Sequence, residues 1–188
     1  MDKGEKKMSN YELLVYRTLN LNEINRNLFN DFIRHQNVTK CWRKVNNQWI
    51  VKEDAFIDDW TEKDYQILIS CLKQTLISKG LVYGAFYDGK LKGFVSVEAE
   101  LFGGEHQYCD LSSIHISEDM RHKGIGRHLF SIAKTWAREK GVKKLYISAH
   151  SAIESQAFYR AMGCVEAEVY HLKHVEDEPY DCQLECML

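Results

Sequence analysis

The chain has 188 residues, 28% of them charged and 45% hydrophobic, and a formal net charge of −2. That is the size and balance of one globular domain with a substantial core. It lacks the basic excess of a general nucleic-acid binder, and no apolar run approaches the ~18 residues of a membrane span.

The opening stretch, Met1-Asp2-Lys3-Gly4-Glu5-Lys6-Lys7, is charged and carries no apolar core of a signal peptide. Residues 1–9 therefore read as a flexible, solvated tail, and residues 10–188 as a single domain. A first strand is predicted over Tyr11 to Thr18. From Glu23 to His35 the spacing puts Ile24, Leu28, Phe29 and Phe32 on one helical face. Cys41 to Trp60 reads as a short hairpin turning at Asn46-Asn47, followed by a loop. Thr61-Glu62-Lys63-Asp64 is an N-cap with an acidic first turn. It opens a helix to Ser78 that buries Tyr65, Leu68, Ile69, Leu72 and Leu76 and stops at Gly80.

Next comes a hairpin, Leu81 to Tyr87 and Leu91 to Glu100, turning at Asp88-Gly89. A loop at Gly103-Gly104 leads to a third strand, Tyr108 to Ile116. A helix beginning near Ile125 places Ile125, Leu129, Ile132, Ala133 and Trp136 on one face and ends before Gly141. Val142 to Ser148 is a strand. Ser151-Ala152-Ile153-Glu154 reads as a capping box for a helix ending at Gly163. Cys164 to Leu172 and Asp181 to Leu188 close the chain as strands. This order describes a mixed α/β layer fold.

The segment Ile114 to Arg127 is the most informative: a strand, a charged turn, Arg121-His122-Lys123-Gly124-Ile125-Gly126, then the amphipathic helix. Two glycines at a helix start bring backbone N–H groups close to an anion, and the helix dipole adds to the attraction. A pyrophosphate suits such a cradle. A Walker loop would end in Gly-Lys-Ser/Thr, whereas Arg127-His128 follows Gly126; a dinucleotide fingerprint would need a third glycine where Leu129 stands.

Arg121-x-x-Gly124-x-Gly126 resembles motif A of the GNAT (general N-acetyltransferase) superfamily. Downstream, Phe158-Tyr159, three residues and Gly163 resemble motif B, with Ser155 at its alanine position, Ala152 in place of the usual asparagine and Cys164 in place of the final aromatic. The resemblance spans roughly Leu81 to Leu172. It implies a GNAT-type acyl-CoA N-acyltransferase fold whose central strands splay apart, with acetyl-CoA in the wedge as cosubstrate. The missing asparagine puts one cofactor contact in doubt, for which Ser151 or Ser155 could substitute.

Acyl transfer needs an uncharged amine, a polarised thioester carbonyl and a proton for the departing thiolate. The resemblance implies that a main-chain N–H at Ile114 supports the carbonyl oxygen and that His115 and Ile116 line the pantetheine arm. The backbone of Arg121, His122, Lys123, Gly124, Ile125, Gly126 and Arg127 would hold the pyrophosphate, the basic side chains adding positive charge. Ser155 lies beside the cofactor, and Tyr159 sits where relatives carry a tyrosine that protonates the thiolate. The resemblance also makes Asp110, eleven positions before Arg121 where some relatives carry a glutamate, the candidate base, with Glu98, Glu100 and His115 as rivals. The reading of each as a plain strand residue stays open.

The resemblance implies an acceptor site built by the N-terminal helices, the loop between them and the last strands, which here offer Trp42, Trp49, Asp54, Asp58, Asp59 and Trp60, then Glu176, Asp177, Glu178 and Asp181. Carboxylates beside aromatics suit a cationic small amine, although surface carboxylates and core tryptophans are the plainer explanation. Protein N-termini or lysines are alternative acceptors. A non-catalytic acetyl-CoA sensor or subunit, and an unrelated phosphate binder sharing only Gly-x-Gly, are the competing functions. Cys41, Cys71, Cys109, Cys164, Cys182 and Cys186 form no Cys-x-x-Cys pair and read as small apolar residues of a reducing cytoplasm. The eight histidines suggest no metal site; His171 and His174, at a predicted strand end, would face opposite ways. The resemblance also allows a homodimer through the last strands.

Overall fold

Two antiparallel hairpins and one strand that changes sheets organise the molecule, seen in a computed structural model that describes residues 13–188. The tail expected over residues 1–9 lies outside the described residues. Strand β1 (Leu14–Thr18) pairs with β4 (Leu81–Tyr87), which pairs with β5 (Lys90–Val97) through the Asp88-Gly89 turn. The helix expected from Glu23 to His35 is absent. Only one 3-10 turn forms, over Arg26–Phe29. Asparagines explain the difference: Asn25 accepts from the Asn27 amide at 3.0 Å, and its own amide group donates to the Asn22 carbonyl at 3.3 Å, so side chains satisfy backbone groups that a helix would use. Ile24, Phe29 and Phe32 are nonetheless buried, against helix α1 (Glu62–Ile77).

The hairpin at Asn46-Asn47 is longer than expected. Both turn residues take positive φ, 49° and 60°, the geometry of a two-residue turn whose twist matches its strands. Strands β2 (His35–Val45) and β3 (Gln48–Asp59) therefore run on where a loop was expected, with one register shift between Val38 and Lys40. Helix α1 starts with Thr61 and Asp64 capping each other reciprocally.

The strand expected from Tyr108 to Ile116 is two strands in two sheets. After the short β6 (Leu101–Phe102), β7 (Tyr108–Asp110) runs parallel to β9 (Lys144–Ala149), in register Tyr108 to Lys144 and Asp110 to Tyr146. At Leu111-Ser112 the chain leaves β9 and becomes β8 (Ser113–Ile116), antiparallel to β5. Glu98 pins this crossover by accepting from the hydroxyls of Ser112 at 2.6 Å and Thr75 at 2.7 Å. The result is a four-stranded sheet, β1-β4-β5-β8, and a five-stranded one, β10-β11-β9-β7-β6, formed with β10 (Val165–Glu166) and β11 (Cys182–Met187). Helix α2 (Ile125–Glu139) packs Ile125, Leu129, Phe130 and Ala133 into the core on one face of the first sheet, while α1 covers the other.

Three further expectations are corrected. No capping box forms at α3 (Ile153–Ala161): Ala152 is the cap residue, and Ser151 instead accepts from Arg43 at 2.5 Å. The strand expected from Cys164 to Leu172 is only the two-residue β10, because Ala167 turns inward onto Tyr108 and Tyr146 and a short helix α4 (Leu172–Asp177) follows. On that helix start His171 and His174 are neighbours, with ring centres 4.8 Å apart, since helical spacing of three brings side chains together.

The second sheet holds a buried ion pair. Lys144 Nζ lies 2.8 Å from Glu185 and 2.7 Å from Glu168, and the Tyr108 hydroxyl donates to Glu185. Burial pushes the Glu185 carboxyl up, but the bonds from Lys144 and Tyr108 more than offset this and leave it below the usual range. Glu185→Gln is expected to lower stability at neutral pH, because the Lys144 ammonium loses its buried partner and keeps only the exposed Glu168. The ionised Glu185 stabilises the fold fully above its unfolded value, so the difference should shrink as pH falls through the folded value. Thermal melts of both proteins across pH measure this.

Candidate active site

The parting of β7/β8 from β9 opens a cleft of about 1010 Å³. The two strands hold together as far as Leu111, whose amide still donates to Tyr146 at 2.9 Å, and separate beyond it. The segment containing β2 roofs the gap. Its near end is tied to one lip, where Ile33 donates to the Ser117 hydroxyl at 2.9 Å and accepts from the Glu118 amide at 2.9 Å. Its middle reaches the other, where the Trp42 amide donates to Ser151 at 2.8 Å and Cys41 bridges Ala152.

β8 is an edge strand. The Ser117 amide donates to Lys92 of the preceding strand at 2.8 Å. Antiparallel bonding alternates, so His115 and Ser113 also face β5, while the N–H groups of Ile114 and Ile116 point to the open edge. The Ile114 and Ile116 side chains join the core under α2, and His115 turns to the opposite face, its ring 4.7 Å from that of Trp60 and 5.4 Å from that of Phe94. Burial, with Arg34, Arg121 and His150 nearby, pulls the His115 pKa down to about 3, so the ring is neutral at pH 7.

At the start of α2 the chain turns through left-handed backbone at His122 (φ 61°) and Gly124 (φ 81°). A side chain at Gly124 would meet nothing, so glycine is needed there for conformation. At Gly126 the reason is space: a Cβ would lie 3.2 Å from the Phe158 ring. Among the described residues the amides from His122 to Arg127 have no hydrogen-bond partner; the first helical bond runs from His128 to Gly124, at 3.1 Å. His122, Gly124, Ile125, Gly126 and Arg127 line the cleft. Arg121 lines it too, but its guanidinium donates to the His35 carbonyl at 2.6 Å and so holds the roof. Lys123 is turned away: its ammonium bonds the Asp119 carbonyl at 3.0 Å, which removes it from the expected positive cluster.

Helix α3 forms the opposite wall with Ser155, Phe158 and Tyr159, whereas Ser151 is buried beneath it. The Tyr159 ring packs against Phe130 and Phe158; its hydroxyl has no hydrogen-bond partner among the described residues. Burial, with Cys164, Asp181 and Asp110 adding to it, pushes that phenol well above its usual range.

Asp110 lies off the main cleft, in an adjoining chamber of about 150 Å³. Its Oδ2 is 2.7 Å from His174 Nε2, and this bond raises the His174 pKa. Of the expected acceptor residues, Asp58, Trp60, Glu178 and Asp181 line the cleft. Trp42 lies under Arg160, Trp49 donates to Glu166, and Asp54 and Asp59 pair with Arg43 and His35. Arg34 and His150 are additions that carried no local signal; Arg34 lies just before β2 and His150 just after β9, and both line the cleft. Arg34 is paired with Asp58.

The model of the acetyltransferase (GNAT) family matches residues 45–164. Similar solved structures include nourseothricin acetyltransferase, at TM-score 0.67 and 16% identity, covering 93% of this chain and 98% of that one. A protein from Bacillus anthracis str. Ames, assigned provisionally as a streptothricin acetyltransferase and solved with acetyl coenzyme A, aligns at TM-score 0.65 and 16% identity, over 93% and 99% of the two chains. The PaiA N-acetyltransferase of Thermoplasma acidophilum, solved with coenzyme A, aligns at 0.58 and 14% identity, over 93% and 99%. With the family model covering well over half its length and the parted strands in the expected place, this chain belongs to the GNAT acetyltransferase family.

Proposed function

We propose that the protein is an N-acetyltransferase that moves the acetyl group of acetyl-CoA to a primary amine of a small cationic molecule. The observation that carries this reading is the set of residues with unpartnered backbone donors around one cleft: Ile114 and Ile116 on the strand edge, and His122, Gly124, Ile125, Gly126 and Arg127 at the start of α2. The latter, at a helix N-terminus, fit a diphosphate. Acetyl-CoA supplies the acyl thioester. The open edge of β8 orients its pantetheine arm beside Ile116 and Ser155, and the Ile114 N–H stabilises charge growing on the thioester oxygen. As the C–N bond forms and the C–S bond breaks, Tyr159 gives its proton to the sulfur and regains one from the nitrogen.

The acceptor enters at the other end, where Asp58, Glu178 and Asp181 gather beside Trp60 and His150. Carboxylates and an aromatic face favour a cation. The roof, tied to both lips, leaves room for a small molecule and shields the reacting carbon from a folded protein surface. Incubating the protein with acetyl-CoA and a panel of polyamines, aminoglycosides, basic amino acids and lysine peptides, read by thiol release, is expected to give turnover on a small cation. Preference for the peptides would overturn the acceptor assignment. Tight coenzyme A binding with no turnover on any amine would favour the sensor.

A further inference from the structure

Acyl transfer to an amine needs a group that removes a proton from the ammonium form in which the acceptor arrives; of the carboxylates lining the cleft Glu154 and Glu178 are exposed, and several other acidic or basic side chains in and around it are committed elsewhere. Asp110 is bonded to His174 in the side chamber, and Asp58 is paired with Arg34. Glu98 accepts from two hydroxyls at the strand crossover. His115 faces Trp60 and Phe94. His150 lines the cleft, but its Nδ1 accepts from the Ala152 amide at 3.2 Å, which leaves the ring proton on Nε2 and makes that nitrogen a donor.

Asp181 is different. It immediately precedes β11 and borders both the cleft, with Tyr159 and Ser148, and the side chamber that holds Asp110 and His174. Its carboxylate has a single hydrogen bond, from the Ser148 hydroxyl at 3.5 Å, and no ion pair among the described residues. It is thus a half-buried, nearly unpartnered acceptor at the doorway between the reaction cleft and a polar outlet.

We propose that Asp181 is the catalytic base, accepting a proton from the acceptor ammonium in the cleft and releasing it through the side chamber. This rests on the acyl-transfer reading above. The ammonium loses one proton to Asp181 and becomes the nucleophile; the second N–H proton replaces the one that Tyr159 gives to sulfur. The turnover therefore yields amide, thiol and one proton to solvent. The surroundings suit the role. Burial and the neighbouring Glu178 lift the Asp181 pKa to about 6, against smaller opposing effects of Ser148, His174 and Arg43. The other titratable groups near it are Tyr159 and Cys182, whose own pKa values it raises, and Asp110. A carboxylate of this kind is ionised at neutral pH and is a stronger base than a surface aspartate.

The test uses the full chain with acetyl-CoA and the best amine of the panel, with kcat/KM measured from pH 5 to 9.5 by thiol release. Asp181→Asn is expected to lose about a hundredfold or more at pH 7, with the loss shrinking at high pH as the amine deprotonates in solution. Its KM for acetyl-CoA should stay that of the wild type, and its circular dichroism spectrum should be unchanged. Glu178→Gln should move the acidic limb to lower pH, because a negative charge that raises the Asp181 pKa is gone, while the plateau falls by whatever Glu178 contributes to holding the cation. An unaltered profile for Asp181→Asn, or a loss of the same factor at every pH, overturns the base assignment. A wild-type protein that acetylates no amine overturns the acyl-transfer reading and this role with it; an active wild type with an unaffected Asp181→Asn variant overturns only the role.

Discussion

Tyr159→Phe is expected to lower kcat by about 10²–10⁴-fold while leaving coenzyme A affinity and the melting temperature close to those of the wild type. The reason is the isolation of the hydroxyl. It makes no hydrogen bond among the described residues, so its loss strands no partner, and the ring contacts with Phe130 and Phe158 survive in the phenylalanine variant. Burial makes this phenol a weaker acid than usual. Single-turnover kinetics beside calorimetric titration with coenzyme A would separate the two quantities. A variant that keeps its rate would remove Tyr159 from the chemistry.

Gly126→Asp is expected to weaken coenzyme A binding by roughly a hundredfold, about 3 kcal/mol, since it puts a negative charge among amides suited to a diphosphate. Part of the effect is steric, because the new Cβ lies 3.2 Å from the Phe158 ring. Gly126→Asn carries nearly the same bulk without the charge, so the difference between the two variants measures the electrostatic share. That share should shrink as salt is added. Titration calorimetry at low and high ionic strength reads both. Equal affinity for the aspartate and asparagine variants would detach the α2 loop from the phosphate role.

Features set by neighbours along the chain are legible in the amino-acid sequence. Asn46-Asn47 and Asp88-Gly89 announce hairpins because few residues tolerate positive φ, and Thr61 with Asp64 announces a helix start because the two cap each other. The two glycines at the start of α2, with Phe158-Tyr159 downstream, identify the family and the wall of the cleft. The departures also have local causes. Apolar spacing from Ile24 to Phe32 imitates a helix, but asparagine side chains satisfy the backbone first.

Other features depend on residues far apart in sequence. Tyr108 to Ile116 has strand character throughout, and nothing in its own residues says that β9 claims one half and β5 the other; the cleft exists because of that division. The roof over the cleft depends on β2 meeting Ser117 at one lip and Ser151 at the other. Asp110 and Asp181 are both acidic residues at strand ends, yet one is bonded to His174 and the other is left nearly unpartnered between two cavities. Residue type and spacing encode turns, caps and the phosphate loop, because those bonds close within a few residues. Which strands part, what covers the gap and which carboxylate faces it are settled by long-range pairing and burial, so only the folded chain decides them.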